Sequence, residues 1–499
     1  MKNIIKISSL LGIALLGTTL SSTLVSCESD ITALNVDPKK PTVIPSGNLV
    51  ASAEQSLLSQ LLTTNVNRNI YRFFTQQWAQ TTYVDESNYD MVTRPIPRNH
   101  YNYLMSSSSG AVNSPGVLSA LRDAEVFLAE EKSKERLSDA EVNNRKAIIE
   151  LISVYTWANL VDTYGDIPYS DALKLSTKDR NPQYISPKYD DAEEIYNDLF
   201  KRIDAAIANI NSSASSYTED IIYGGDMAKW KKMGNSLKFK LALNIADKNP
   251  ALSKQKAEEA FQAGLFEGKD DNFGLSAFPS GIFANPVYLD VVASGRNDFI
   301  PSDVLVDVMN GKDDPRRAVW FTTVGGDYKG GKYGANNSFA NFSHFTSAIS
   351  GENEPGYLLD FTEISFLKAE AAARGYSVGG TKEDLFAKAI KASMEEYGVD
   401  AGSADNYVAN NPLGADWKKS IGEQAWIAMF NRGYQSWNFS RRLDYPQFKN
   451  PANSAVESVP VRMKYSDQEY LLNKANVTAA ANKLSGGDKV SSKIFWDIY

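Results

Sequence analysis

The sequence predicts a mainly α-helical protein, and three observations support this fold class. Apolar residues recur at helical spacing over most of the chain, Ser138 and Glu141 form a helix-capping box, and neighbouring periodic segments are joined by short polar turns. The composition, with 43% hydrophobic and 22% charged residues among 499, is that of a folded protein. We therefore expect a helical scaffold with long irregular loops and minor β structure.

Helical periods follow one another along the chain from about Asn48. The spacing of Tyr71, Phe74 and Trp78 predicts that these three rings lie on one helix and pack in the core. A longer helix begins after Ser138 and extends to about Val161. Further helices are predicted over about 191–210, 228–247, 253–264, 302–310, 361–375, 382–397 and 420–431.

Two of these segments, 361–375 and 382–397, predict a pair of antiparallel helices. Small residues such as Ala369 and Ala371 allow a second helix to approach closely, and Phe386 and Met394 supply side chains that pack there. Such pairs are similar to tetratricopeptide hairpins, although their period is too irregular to define a repeat array.

The N-terminus has the layout of a lipoprotein signal. Lys2 and Lys6 precede an apolar stretch from Ile7 to Leu16, which is too short to span a membrane. The sequence LVSC that ends at Cys27 resembles a bacterial lipobox, in which cleavage leaves the Cys as a lipidated N-terminus. A generic signal peptide that happens to contain a Cys is the alternative.

The lipobox divides the chain into three parts. We expect a signal peptide at 1–26, a lipidated tether at 27–47 that is rich in Pro and polar residues, and a single folded domain at 48–499. Glu28 and Asp30 directly after Cys27 resemble the signal that sends such lipoproteins to the cell surface. The expected location is therefore the outer membrane, with a lipid anchor through Cys27 and the domain facing the exterior.

Charge and composition exclude several classes of function. The formal net charge is −8 without a long basic run, so no nucleic-acid partner is expected. One Cys and two His leave no thiolate or His-rich metal site, and we expect no metal, no cofactor and no catalytic residue. A pair of carboxylates for glycoside hydrolysis remains an alternative, since the two need not be close in sequence.

Aromatic residues in two long non-helical stretches, 266–300 and 313–357, indicate a binding surface. Flat rings stack on sugars or on peptide side chains, while neighbouring amides and hydroxyls bond the polar edges. In the second stretch, alternation such as Phe339, Asn341, Ser343 and Phe345 fits a binding surface and strands that cover a core about equally well. The loop aromatics taken as ligand candidates are Tyr83, Tyr89, Phe283 and Tyr288.

Six segments and the lipobox form an ordered set along the chain. They are ITALNVDPKKPT directly after the lipobox, LVDTYGDIPYSDAL at 160–173, MAKWKKMGNSLKFKLALNIAD at 227–247, DPRRAVW at 314–320, LLDFTEISFLKAEAAARG at 358–375 and SWNFSRRLDYP at 436–446. Together they resemble the SusD/RagB family of outer-membrane lipoproteins over essentially the whole mature chain. His100 stands before Tyr101 where many relatives have a Trp.

The resemblance implies a role as well as a fold. Proteins of this family are helical, with tetratricopeptide-like hairpins, and they form a lid on a SusC-type TonB-dependent transporter without catalytic residues. It implies that the ligand, an oligosaccharide or alternatively an oligopeptide, lies between lipoprotein and transporter, so that Arg296, Asn297 and Asp298 line the same surface as the loop aromatics. It also implies that Arg316 and Arg441 belong to the scaffold. A secreted glycan-active enzyme is the weaker alternative.

Overall fold

The computed structural model describes residues 44–106, 116–176, 184–281 and 283–499. Contacts group Pro45–Tyr499 into one unit. The signal sequence, Cys27 and most of the tether lie outside the described residues, so lipidation and the boundary at residue 48 stay predictions. No helix within the described ranges is long and apolar enough to cross a membrane.

Helices dominate the described residues, as the hydrophobic spacing predicts. The first half contains α1 (Ser46–Leu62), α2 (Tyr71–Phe74), α3 (Ile96–Met105), α4 (Val117–Lys134), α5 (Asp139–Tyr164), α6 (Ala192–Ala208), α7 (Met227–Asn244) and α8 (Pro250–Ala263). The second half contains α9 (Pro286–Tyr288), which continues as a π-helical turn over Leu289–Ala293, then α10 (Asp303–Gly311), α11 (Arg316–Trp320), α12 (Ser347–Ser350), α13 (Phe361–Ala373), α14 (Lys382–Glu396), α15 (Ala401–Asn410), α16 (Trp417–Ala428), α17 (Gly433–Leu443), α18 (Asp467–Leu472) and α19 (Lys474–Lys483). The predicted fold class is confirmed.

Helix α5 is the central element of the first half. The predicted capping box fixes its start, since the Glu141 amide donates to Ser138 Oγ at 3.2 Å and the Ser138 amide donates to the Glu141 carboxylate at 2.9 Å. From Ala147 to Tyr164 almost every residue is buried, because α4, α6 and α7 pack around the helix. A helix enclosed on all sides has no polar stripe, which explains its apolar sequence.

The clearest hairpin is the predicted pair α13 and α14. Ala369 and Ala371 on α13 are fully buried, and Phe386, Ile390 and Met394 on α14 are buried with them. Small side chains on one helix therefore receive large ones from the other, as the sequence predicts. Helices α7 and α8, α5 and α6, and α16 and α17 form comparable pairs.

The β structure consists of three two-stranded antiparallel sheets. They pair β1 (Trp78–Gln80) with β5 (Phe299–Pro301), β2 (Ile167–Pro168) with β3 (Tyr189–Asp190), and β4 (Phe273–Leu275) with β6 (Gly356–Leu359). Trp78 is buried, as expected, but its predicted place on a helix is wrong. Helix α2 ends at Phe74, and Gln76 adopts a left-handed φ of 51°, so the chain leaves the helix and enters β1.

Two buried arginines form contacts inside the scaffold. Arg316 and Asp314 are both fully buried, with Arg316 Nη2 at 2.5 Å from Asp314 Oδ2. The Arg441 guanidinium lies 3.5 Å from the centroid of the Trp437 ring and donates to the Asp162 carbonyl at 2.7 Å. Both arginines are therefore part of the scaffold, as predicted.

Candidate ligand-binding cleft

The β1–β5 pair brings two distant loops to the same end of one small sheet. Its register places Trp78 opposite Pro301 and Gln80 opposite Phe299. Two further bonds extend the pairing, because the Thr81 amide donates to the Asp298 carbonyl at 3.0 Å and Thr81 Oγ1 donates to the Asn297 carbonyl at 2.6 Å. The loop that follows β1 therefore lies beside the loop that precedes β5.

Asn337 attaches a third segment to this edge. Its side-chain amide donates to the Gln80 carbonyl at 2.8 Å and to the Lys332 carbonyl at 3.0 Å, while its backbone amide donates to the Thr81 carbonyl at 3.3 Å. One asparagine thus makes hydrogen bonds to carbonyl groups of two chain segments that lie about 250 positions apart. The aromatic-rich stretch predicted from the sequence is held next to the β1–β5 pair in this way.

A cleft of about 320 Å³ opens between the loop that precedes β5 and the aromatic-rich stretch. Its volume is at the lower end of the range for small-molecule sites. It is lined by Val291, Val292, Gly295, Arg296, Asn297, Phe299, Phe339, His344, Phe345 and Ser350. We call this the loop cleft.

The aromatic wall of the loop cleft is fixed in place by stacking. The rings of Phe339 and His344 are almost parallel, at 12°, with centroids 3.7 Å apart, and His344 Nε2 lies 2.9 Å from the Phe339 carbonyl oxygen, to which it donates. The Phe345 ring lies 4.1 Å from the buried ring of Trp78. These contacts hold the flat apolar rings in place at the cleft. A ligand that binds there therefore does not have to order mobile side chains, which would cost conformational entropy.

The polar side of the loop cleft is formed by Arg296 and Asn297, which precede β5. Arg296 Nε lies 2.6 Å from Asp298 Oδ2, which leaves the other guanidinium donors for a ligand. Arg296 and Asn297 are exposed. The lining residues include no carboxylate, so the pair of acids that glycoside hydrolysis needs is not found among them.

The predicted ligand residues differ in their position relative to the loop cleft. Arg296 and Asn297 line the loop cleft, and Asp298 orients Arg296. Tyr83 is 64% exposed after β1, with a left-handed φ of 54°, and its carbonyl accepts a bond from Gln80 Nε2 at 2.9 Å. Its ring is therefore exposed and does not line the cleft.

Phe283 and Tyr288 lie on the chain that leads to the loop cleft but do not line it. The ring of Phe283 packs edge-on against Phe278, with centroids 5.1 Å apart, and Tyr288 is half-buried at the end of α9. Contact between these two side chains and a ligand stays a prediction.

The expectation that Tyr89 displays its ring on a surface loop is wrong. Its side chain is 0% exposed, and its hydroxyl accepts a bond from Gln76 Nε2 at 2.8 Å. The rings of Phe74 and Tyr333 lie 6.2 and 6.3 Å away, and burial raises the pKa of Tyr89 to about 12. Tyr89 therefore belongs to the core, and we remove it from the candidate site.

Phe339, His344 and Phe345 form the part of the cleft that the sequence left undecided. They do not lie on the continuous strand that alternation suggested. Phe339 begins a 3₁₀ turn, and Phe345 forms a single β-bridge with Phe321. The sequence signal for these residues was the presence of aromatic residues among Gly, Asn and Ser. Which of the rings contact one another depends on how the loops fold. No group of three or more His, Cys, Asp or Glu in the described part of the chain is arranged to hold a metal.

The fold and the loop cleft define a helix-hairpin scaffold that displays a candidate ligand site on its irregular loops. The family model described as "Starch-binding associating with outer membrane", the SusD-like family, matches residues 38–466. The chain belongs to this family. No curated protein matches it at a significant level.

Solved structures have the same fold. A chitin-binding protein is similar with a TM-score of 0.77 and 24% identity, covering 91% of this chain and 100% of its own. A chitin-binding SusD homolog from Flavobacterium johnsoniae has a TM-score of 0.69 and 24% identity, covering 90% and 99%. A SusD homolog from Bacteroides uniformis has a TM-score of 0.69 and 26% identity over the same shares.

Proposed function

We propose that this protein is a cell-surface lipoprotein that captures oligosaccharides in the loop cleft and delivers them to a SusC-type TonB-dependent transporter. The observation that supports the proposal most directly is the composition of the cleft. Phe339 and Phe345 offer apolar ring faces, while Arg296, Asn297 and His344 offer polar groups beside them. Sugars have apolar faces and hydroxyl edges that suit such a pair of surfaces.

The family and its relatives support a glycan as ligand. The family is described as starch-binding, and the printed names of two similar structures call those proteins chitin-binding. Their identity of 24% establishes a common fold only, so which glycan this chain takes rests on its own cleft residues. The absence of a carboxylate among the lining residues favours binding over hydrolysis.

The lipid anchor and the transporter partner complete the proposal. Cys27 ends the lipobox-like sequence LVSC and stands at the start of a Pro-rich segment. The family description associates such proteins with the outer membrane. A binding protein tethered beside a transporter raises the local concentration of ligand at the entrance.

A titration panel tests the ligand class. Purified protein is titrated calorimetrically with chitohexaose, maltohexaose and a mixture of oligopeptides. We expect saturable binding of at least one oligosaccharide and none of the peptides. Saturable binding of peptides alone would contradict the glycan proposal and leave the alternative ligand in its place.

The transporter partnership needs a separate experiment. Epitope-tagged protein is extracted from membranes in mild detergent and purified by its tag. We expect a TonB-dependent transporter to co-purify in stoichiometric amount, and a second tag on that transporter should recover the lipoprotein. Recovery of the lipoprotein without any transporter would contradict delivery to such a partner.

A further inference from the structure

Part of the loop cleft is lined by a π-helical turn. Helix α9 continues into this turn, and the Ser294 amide donates to the Leu289 carbonyl at 3.1 Å, which is the i to i+5 bond of a π-helix. Val291 and Val292 belong to the turn and line the loop cleft. Such turns are rare and are found frequently at functional sites. We call the segment Leu289–Ala293 the π-turn.

Asp290 attaches the π-turn to the end of helix α1. Its Oδ2 atom accepts three hydrogen bonds, from Thr63 Oγ1 at 2.6 Å, from the Thr64 amide at 2.8 Å and from Thr64 Oγ1 at 3.2 Å. The two threonines directly follow α1 and are 2% and 3% exposed. One carboxylate oxygen therefore connects the π-turn to the buried scaffold.

The π-turn has few other attachments. Among the described residues of 286–296, Asp290 is the one that makes a hydrogen bond to a residue outside 285–298. Val291 adds an apolar contact with the core, whereas Val292 is 48% exposed. The position of the π-turn thus depends on one apolar contact and on the Asp290 carboxylate.

We propose that Asp290 is a positioning residue for the loop cleft, because it holds the π-turn, with Val291 and Val292, in one place before the ligand binds. A ligand that contacts a mobile segment has to order its side chains, and each ordered side chain costs conformational free energy. The rings of Phe339 and His344 are already held by stacking, and the bonds of Asp290 do the same for the π-turn. This inference rests on the proposed function, since it concerns the same cleft and the same oligosaccharide ligand.

A second neighbour of Asp290 allows its positioning role to be separated from its effect on stability. Among the described residues, the buried Arg72 guanidinium donates to neutral oxygens, which are the carbonyls of Leu62, Thr63 and Asn431 and the side-chain oxygen of Asn431. Burial lowers the pKa of Arg72 to about 10, and the negative charge of Asp290 opposes this shift. Asp290→Asn removes the charge but keeps an oxygen that accepts the same bonds, whereas Asp290→Ala removes both.

Calorimetric titration of the whole purified protein with chitohexaose and with maltohexaose tests the proposal. Asp290→Ala is expected to weaken binding at least about fivefold, because the ligand then has to order the π-turn. Asp290→Asn is expected to bind within about twofold of the wild type. Both variants are expected to unfold at lower urea concentration than the wild type, because both remove the charge near Arg72.

The partner of Asp290 is tested by Thr63→Val, which removes the hydroxyl that makes the shortest of the three bonds. This variant is expected to weaken binding too. Combined with Asp290→Ala, it should weaken binding by less than the product of the two separate factors, because both changes remove the same bond.

Asp226→Ala is the matched control. The Asp226 carboxylate accepts bonds from the Ala228 and Lys229 amides at 2.9 and 3.2 Å at the start of α7, and it does not line the loop cleft. Loss of this helix cap is expected to lower stability and to leave oligosaccharide affinity unchanged.

Hydrogen exchange of the ligand-free protein, measured by mass spectrometry, reports the position of the π-turn directly. Amides of 289–296 are expected to exchange faster in Asp290→Ala than in the wild type, in Asp290→Asn or in Asp226→Ala. Helix α5 is expected to exchange equally in all four proteins.

The outcomes separate the positioning role from the proposed function. No binding of either oligosaccharide to the wild type would contradict the proposed function, and the positioning role with it. Binding of equal strength in the wild type and in Asp290→Ala would overturn the positioning role alone. Equal loss of affinity in Asp290→Asn and Asp290→Ala, or in Asp226→Ala and Asp290→Ala, would also overturn it, because charge or general stability would then explain the effect.

Discussion

The Phe339 and His344 rings stack at 3.7 Å, and the same histidine donates from Nε2 to the Phe339 carbonyl at 2.9 Å. Two residues five positions apart thus make both a ring contact and a backbone contact, which closes the loop between them. The pair forms a flat surface in the wall of the loop cleft. The proposed function depends on this surface.

Replacing Phe339 with Ala is expected to weaken oligosaccharide binding by about 1 to 3 kcal/mol, because one ring face and its buried area are lost. Calorimetric titration measures the change. Phe342→Ala is the control, since that ring belongs to the same loop but does not line the cleft. Equal loss of affinity in the two variants would show that the loop, rather than the Phe339 ring, is what matters.

His100 is expected to make stability depend on pH. It is buried between Gln60 Nε2, which donates to Nδ1 at 2.9 Å, and Asn159 Oδ1, which accepts from Nε2 at 2.9 Å, so the neutral ring is the form that fits. Burial lowers the pKa of His100 to about 4. As the pH falls, the unfolded chain binds this proton at a higher pH than the folded chain does. The contribution of His100 to the free energy of unfolding is therefore complete above pH 6.5, and roughly 3 kcal/mol is lost as the pH falls towards 4.

Urea unfolding of the wild type and of His100→Gln at pH 7.5 and 5 measures this effect. At pH 7.5 the variant is expected to be less stable by about 1 to 3 kcal/mol, because Gln60 and Asn159 lose partners, and the difference should shrink at pH 5. His344→Gln, which changes the other histidine of the sequence, is the matched control. A difference that stays constant with pH would mean that His100 binds a proton as readily in the folded protein as in the unfolded chain.

His100 lies in the interior of the protein. The Tyr71 hydroxyl is 3.0 Å from its Nε2, and the residue does not line the loop cleft. His100 therefore belongs to the core and gives no information on the ligand.

Glu54 is expected to have the opposite dependence on pH. The side chain is fully buried on α1, and burial, together with the nearby carboxylate of Asp220, raises its pKa well above the ordinary value. The unfolded chain releases this proton near pH 4.5 while the folded chain retains it, so Glu54 lowers stability as the pH rises above 4.5, by about 1.4 kcal/mol per pH unit until the raised pKa is reached.

Glu54→Gln removes the titration and keeps the acceptor for the Ile221 amide, which lies 2.9 Å from the Glu54 carboxylate. Denaturant unfolding at pH 5 and pH 8 should show that the variant gains stability relative to the wild type as the pH rises. Glu219→Gln, at an exposed position close in space, is the matched control. Parallel pH profiles for wild type and Glu54→Gln would contradict a buried neutral carboxyl.

Cys27→Ala is expected to release the protein from the membrane. The apolar stretch before it is too short to span a bilayer, and the proposed anchor is the set of acyl chains at the Cys. Fractionation of cells and immunodetection measure the shift from the membrane to the soluble fraction. If the variant still requires detergent for extraction, lipidation at Cys27 is not the anchor.

Several helices were predicted from capping residues and from the spacing of their apolar residues. The capping box of α5 and the stripe of α6, predicted over 191–210 and found at Ala192–Ala208, are examples. Helix α17 (Gly433–Leu443) was missed because it begins without a capping side chain and because polar residues such as Gln435, Asn438 and Arg442 are buried in it beside the aromatic ones. The start of β1 was misread because a left-handed residue, Gln76, ends the helix without a Gly or Pro to mark the break.

The candidate site was predicted only in part. The Arg-Asn-Asp run and the aromatic-rich loops were identified as candidates. Tyr83 and Tyr89 lie in the same loop with similar neighbours, but Tyr83 is exposed and Tyr89 is buried. Tyr89 turns inward because Gln76 and Tyr333, distant in sequence, receive its hydroxyl and its ring. Such contacts depend on the folded arrangement of the loops, which local composition does not encode.

A crystal structure with bound chitohexaose tests the central claim most directly. We expect a sugar ring about 4 Å from the Phe339 ring, with a hydroxyl about 3 Å from Arg296 or Asn297. Ordered sugar elsewhere on the protein, with the loop cleft unchanged, would contradict the account.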